Sequence, residues 1–169
     1  MKILNFFILL IIILVPKDLM AEDPKIENLK LFMGEWIVNC SSENEKECAL
    51  ERSVFIDSDM KKKLITVIMQ KKSTSKDVRF VLISPLGTLI PSGVKIGFDG
   101  KFINDKAYAF NVCQQIGCIT SMLVKEETLD RFKSADNLNL EYVGPNRQKI
   151  NINFDLNGFT KEFQKISKI

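Results

Sequence analysis

Short alternations of apolar and polar residues dominate the chain from Trp36 onward. Glu35 to Cys40 alternates and is rich in β-formers. Ala49 to Ile56 alternates as a strand with one buried face does. Asp57-Ser58-Asp59 is a turn cluster, and Leu64 to Met69 is a β-branched run. Val78 to Ile83 is nearly continuous in apolar residues, which predicts a central strand buried on both faces. Pro85-Leu86-Gly87 and Pro91-Ser92-Gly93 bracket Thr88-Leu89-Ile90. Val94 to Phe98 resumes the strand pattern, and Asp99-Gly100 turns it into Lys101-Phe102. Ala107 to Val112 and Ile119 to Val124 read as two antiparallel arms around a turn at Cys113 to Cys118. Leu138 to Val143 and Ile150 to Leu156 pair around Gly144-Pro145-Asn146. Helical spacing appears twice: at Glu126, Leu129, Phe132 and Lys133 within Lys125 to Ala135, and at Phe159, Phe163 and Ile166 at the end of the chain.

About nine closely spaced strands with two short helices, one of them C-terminal, predict a mostly β fold. An antiparallel β-sandwich suits the spacing, with a barrel as the alternative. A parallel sheet is excluded because it needs a crossover, usually a helix, between strands.

The N-terminus follows a different pattern. Lys2 precedes the unbroken apolar run Phe6 to Val15, Pro16-Lys17-Asp18 breaks it, and Leu19-Met20-Ala21 precedes Glu22-Asp23. This is the layout of a secretory signal peptide over residues 1–21, cleaved after Ala21. The run is too short for a membrane anchor, which takes about 20 apolar residues. Residues 22–33 read as a lead-in and residues 34–169 as a single domain. After cleavage no segment long enough to span a membrane remains, so the expected location is periplasmic or secreted.

Composition narrows the chemistry. The 24 Lys+Arg against 21 Asp+Glu leave a net charge of +3, too little to suggest a nucleic-acid partner. With no His, neither a Ser-His-Asp nor a Cys-His nucleophile can be built, nor a His metal site. The four cysteines, Cys40, Cys48, Cys113 and Cys118, form two local clusters. In an exported chain they read as disulfides. Three connectivities exist, and Cys40–Cys48 with Cys113–Cys118 is the choice because a hairpin closes each. The spacing suits neither zinc knuckles nor a redox Cys-x-x-Cys pair. No cofactor is expected.

The carboxylate pairs Asp57/Asp59 and Glu126/Glu127 are explained by turn chemistry and by a helix N-terminus. Lys61, Lys62 and Lys63, with Lys71, Lys72 and Lys76, make the most basic surface, read as solvated lysines or as contact with anionic envelope material. The Pro85–Gly93 loop is the main candidate site. Leu86, Leu89 and Ile90 are expected to cap the open end of the sandwich; the alternative is an exposed partner-binding surface. Trp36 reads as a core anchor whose indole N–H needs an acceptor.

Several motifs recur together: Gly34-Glu35-Trp36, then Cys40 and Cys48; Pro85-Leu86-Gly87-Thr88-Leu89-Ile90-Pro91-Ser92-Gly93-Val94, then Phe98-Asp99-Gly100; Cys113 and Gly117-Cys118; and Gly158-Phe159. In this order and spacing they resemble the invasion-associated locus B family of exported bacterial proteins, over roughly residues 32–165. The resemblance implies a compact, mostly β, secreted or periplasmic domain with no established catalytic activity. Members in some intracellular pathogens are associated with host-cell entry. Others occur in bacteria with no host, so entry is not the shared role. The functional expectation is a non-enzymatic envelope protein acting through an as yet unnamed protein or envelope partner. The alternatives are a periplasmic enzyme using carboxylates and a binder of a small apolar ligand.

Overall fold

The computed structural model describes residues 30–41 and 47–168. The signal peptide and most of the lead-in lie outside them. Strands follow in the order β1 (Phe32–Met33), β2 (Ile37–Cys40), β3 (Glu47–Phe55), β4 (Lys63–Lys72), β5 (Val78–Ser84), β6 (Val94–Phe98), β7 (Lys101–Phe102), β8 (Val112–Gln114) and β9 (Gly117–Val124). Helix α1 (Glu126–Ser134), β10 (Asn137–Val143), β11 (Lys149–Asp155) and α2 (Phe159–Ser167) complete the chain.

All pairings are antiparallel. One sheet has seven strands in the order β1-β3-β4-β5-β9-β8, with β2 also on β3; the other runs β11-β10-β6-β7. Neither sheet closes on itself, so the fold is a sandwich and the barrel alternative falls. The two inner faces meet in one core. Leu50, Val54, Val67, Met69, Phe80 and Leu82 come from the larger sheet, and Ile96, Leu138, Leu140, Tyr142, Ile152 and Phe154 from the smaller. Helix α1 carries the chain from one sheet to the other. It buries Phe132 edge-on against Phe98, ring centroids 4.8 Å apart. Helix α2 lays Phe159, Phe163 and Ile166 into the same core. It starts at Gly158, whose φ of 83° is a left-handed conformation that suits glycine.

Two expectations change. Strand β5 is central, between β4 and β9, but only one of its faces is covered. Val78, Phe80 and Leu82 are buried, whereas Val81 and Ile83 are half-buried and Arg79 is exposed. Its continuous apolar run therefore serves the core and also faces outward. The arm at Ala107 to Val112 is largely irregular. Tyr108 bridges to Val94, and β8 begins only at Val112. The Asn111 amide still donates to the Ile119 carbonyl at 2.7 Å, and its side chain then accepts the Ser121 amide at 2.6 Å, extending the pairing past the end of the backbone ladder.

Candidate interaction surface

Register fixes which side chains share the outer face of the larger sheet, because directly opposed residues point the same way. Ile37, Glu51, Ile68, Val81 and Ser121 form one row across β2, β3, β4, β5 and β9. Ser53, Thr66, Ile83, Ile119 and Val112 form the next, ending on β8. Ala49, Gln70, Arg79 and Leu123 form a third. On β3 and β4 the outward positions mix Glu51, Ser53, Thr66 and Gln70 with Ala49 and Ile68, and the apolar ones gather around β5 as Ile68, Val81, Ile83, Ile119 and Val112. Ile37, Val112 and Leu123 are 51%, 45% and 60% exposed. The smaller sheet is the contrast. Its outward residues are mainly polar, Asn139, Asn153, Asn151, Glu141, Lys95 and Lys149, with Val143 and exposed Phe102 beside them. Asn139 donates to Asn153 at 2.8 Å, and Glu141 lies 3.9 Å from Lys95 and 3.7 Å from Lys149.

A cleft of about 350 Å³ opens on the apolar face, lined by Glu51, Lys63, Leu64, Thr66, Ile68, Ile83, Pro85 and Ile116. At its polar floor Ser53 and Thr66 hydroxyls bond each other at 2.9 Å, which satisfies both buried groups. Ile116 rims the cleft at the tip of the β8–β9 turn, 67% exposed. The Cys113–Cys118 disulfide ties that turn across a register pair with Cα atoms 3.9 Å apart. Gly117 makes the turn feasible: a Cβ there would come within 2.3 Å of the Ser84 carbonyl. The other bridge, Cys40–Cys48, pins β2 to β3 across a register pair. All four cysteines are thus consumed as the local pairing predicts.

The Pro85–Gly93 loop does not cap the sandwich. Leu86, Leu89 and Ile90 are 58%, 37% and 53% exposed. The loop is anchored by other groups. Thr88 is buried and donates to the Pro85 carbonyl at 2.8 Å, and the Leu89 amide donates to Val143 at 2.8 Å. A 3-10 turn at Ile90–Ser92 then turns Ile90 outward. Gly93 lets the chain press against β6's neighbour, since a Cβ there would lie 2.4 Å from the Tyr108 carbonyl.

The basic surface also divides. Lys61, Lys62 and Lys63 sit at one end of β4; Lys71, Lys72 and Lys76 sit at the other, about 30 Å away at strand rise. The β4 length that separates them was underestimated from sequence. Lys61 pairs with Asp59 at 3.4 Å and Lys72 with Glu47 at 3.3 Å, both exposed. The carboxylates do not converge either. Asp57 accepts the amides of Lys61 and Lys62 at 3.0 Å each, and Glu126 and Glu127 open α1.

Sequence reasoning passed over two residues. Arg52 sits at the end of the core with its side chain 11% exposed. It donates to Gly34 at 2.6 Å and to the Asp155 carbonyl at 2.7 Å, beside the Asp155 carboxylate at 3.5 Å. Its guanidinium lies over Trp36 and Phe154. Burial lowers its pKa, and Asp155 opposes that. Trp36 meets its expected acceptor there, donating to Asn157 at 2.9 Å. Tyr142 is the other. Its hydroxyl is buried with no hydrogen-bond partner among the described residues, and burial pushes its pKa up to about 12. An Arg inside an alternating strand was the readable signal for the first; the second had none.

Together these features define a disulfide-stapled antiparallel sandwich with one outer face richer in apolar residues than the other. Residues 36–167 match the family model described as Invasion associated locus B (IalB) protein, and the chain belongs to that family. Its fold is similar to the crystal structure of invasion associated protein B from Bartonella henselae, with a TM-score of 0.66 and 18% identity over 80% of this chain and 92% of that one. Likeness at that identity speaks for the fold alone. A comparison with curated proteins finds no match. The two disulfides suit a chain exported to an oxidising compartment. No helix among the described residues is long and apolar enough to cross a membrane.

Proposed function

We propose that this chain is a non-enzymatic envelope protein, periplasmic or secreted, that acts by protein contact through the outer face of its seven-stranded sheet. The observation that carries the reading is the contrast between its two outer faces. Hydrating a contiguous apolar face costs free energy, and exposed patches of this kind mark interaction sites. The family membership supports the class of protein, and the disulfides support export. The Pro85–Gly93 loop and Ile116 stand at one margin of the same face, through Pro85 and the cleft. A small apolar ligand in the interior is disfavoured because Phe80, Phe132, Phe154 and Phe159 fill that space.

The test is a paired capture from the envelope extract of the source cell. The exported wild type is compared with a Val81→Lys, Ile83→Lys variant whose thermal melt remains cooperative. The reading expects proteins, further copies of this chain included, that the wild type retains and the variant loses. Equal capture by both would overturn it.

A further inference from the structure

The apolar face carries two charged residues away from its ends, and their placement identifies an occupant. Glu51 lies on β3 and Arg79 on β5, two strands apart and one outward row apart. Strand spacing and rise put them about 12 Å from each other, too far for an ion pair within one chain. Among the described residues neither forms a salt bridge or a side-chain hydrogen bond. Both are aimed outward, Glu51 between Ile37 and Ile68 and Arg79 between Gln70 and Leu123, where an unpaired charge weakens any partner that cannot answer it.

We propose that the occupant of this face is a second copy of the chain, packed sheet to sheet about a two-fold axis. This rests on the reading of the face as a protein-contact surface. A single two-fold axis lying in the interface, midway between Glu51 and Arg79, sets each Glu51 against the other copy's Arg79. Both ion pairs form at once, as an isologous contact requires. On the sheet lattice that axis runs close to the diagonal from Gln70 through Ile68 and Val81 to Ile83. These side chains then meet their own copies, and Leu123 comes alongside the second copy's Ile37. The face is therefore self-complementary in charge and in apolar character. Face-to-face sheets pack about 10 Å apart, and this axis crosses the strands of the two copies at about 70°, between the aligned and orthogonal arrangements of packed sheets. The face spans six strands, about 24 Å across, at the small end for a specific interface. A dimer of micromolar rather than nanomolar affinity is expected.

Sedimentation velocity on the exported protein, over about 5–500 μM, tests this. The wild type should pass from monomer to dimer within the range. Glu51→Arg and Arg79→Glu should each weaken association by about tenfold or more, because each sets like charges against each other twice per dimer. The double variant Glu51→Arg, Arg79→Glu should restore the wild-type constant to within about threefold. Cooperative thermal melts of the single variants show that they fold, and Ile68→Lys should abolish the dimer independently. A chain monomeric throughout, or a double variant no better than the singles, overturns the proposal. If the chain stays monomeric while other proteins are captured through Val81 and Ile83, the contact-surface reading stands and only the second copy is excluded.

Discussion

Tyr142 carries into the core a hydroxyl with no hydrogen-bond partner among the described residues, and its burial fixes how its ionisation couples to stability. Its pKa is pushed up to about 12 by burial, against the ordinary value of 10. The native state therefore holds the neutral phenol longer than the unfolded chain does. The contribution is present below pH 10 and is lost as pH rises through about 12. Two pH units correspond to roughly 2–3 kcal/mol. Tyr142→Phe should leave stability at pH 7 unchanged within about 1 kcal/mol and remove that alkaline loss, measured by urea unfolding at both pH values. Arg52 is the opposite case, since its donors satisfy three carbonyls, one before β2 and two at the end of β11. Arg52→Met should cost about 2–4 kcal/mol, because Gly34, Asp155 and Asn157 lose their shared donor at the end of the core. A loss under about 0.5 kcal/mol in the same assay would show those carbonyls to be satisfied otherwise.

At the scale of elements, every strand pattern except the Ala107 to Val112 arm located its strand, because one face of every long strand is buried and alternation records that face. The pairing of the cysteines was legible for the same reason: each pair lies opposite across a hairpin. What the sequence could not convey was whether anything covers the second face of an apolar strand. Val78 to Ile83 reads identically whether a layer packs on Val81 and Ile83 or solvent does. The loop failed for a related reason. Its apolar residues suggested a cap, but Thr88 and the Leu89 amide make the anchoring bonds, and the leucines turn out. Leu89→Ala should accordingly shift stability by less than about 1 kcal/mol, where a capping leucine would cost about 2–5 kcal/mol. Replacing Cys113 and Cys118 with Ser should cost about 2 kcal/mol on the chain-entropy account while leaving the fold intact, read as a lowered thermal midpoint. Complete loss of the cooperative transition would mean that the β8–β9 turn organises more than its own edge.

At the scale of the whole molecule, the two outer faces obey different rules. The smaller sheet shows water mainly asparagines and paired charges; the larger shows it Ile37, Ile68, Val81, Ile83, Val112 and Leu123 among Glu51, Gln70, Arg79 and Ser121. Both sheets satisfy the same core, so burial within the domain does not require this difference. The proposed contact surface accounts for it. The most direct measurement is photo-crosslinking in the intact envelope, with a photoreactive residue at Val81 in one strain and at Asn151, on the opposite outer face, in another. The account predicts a discrete higher-mass adduct from position 81, at twice the chain mass if the second copy is the partner, and none from position 151. Equal crosslinking from both faces, or none from position 81, would contradict it.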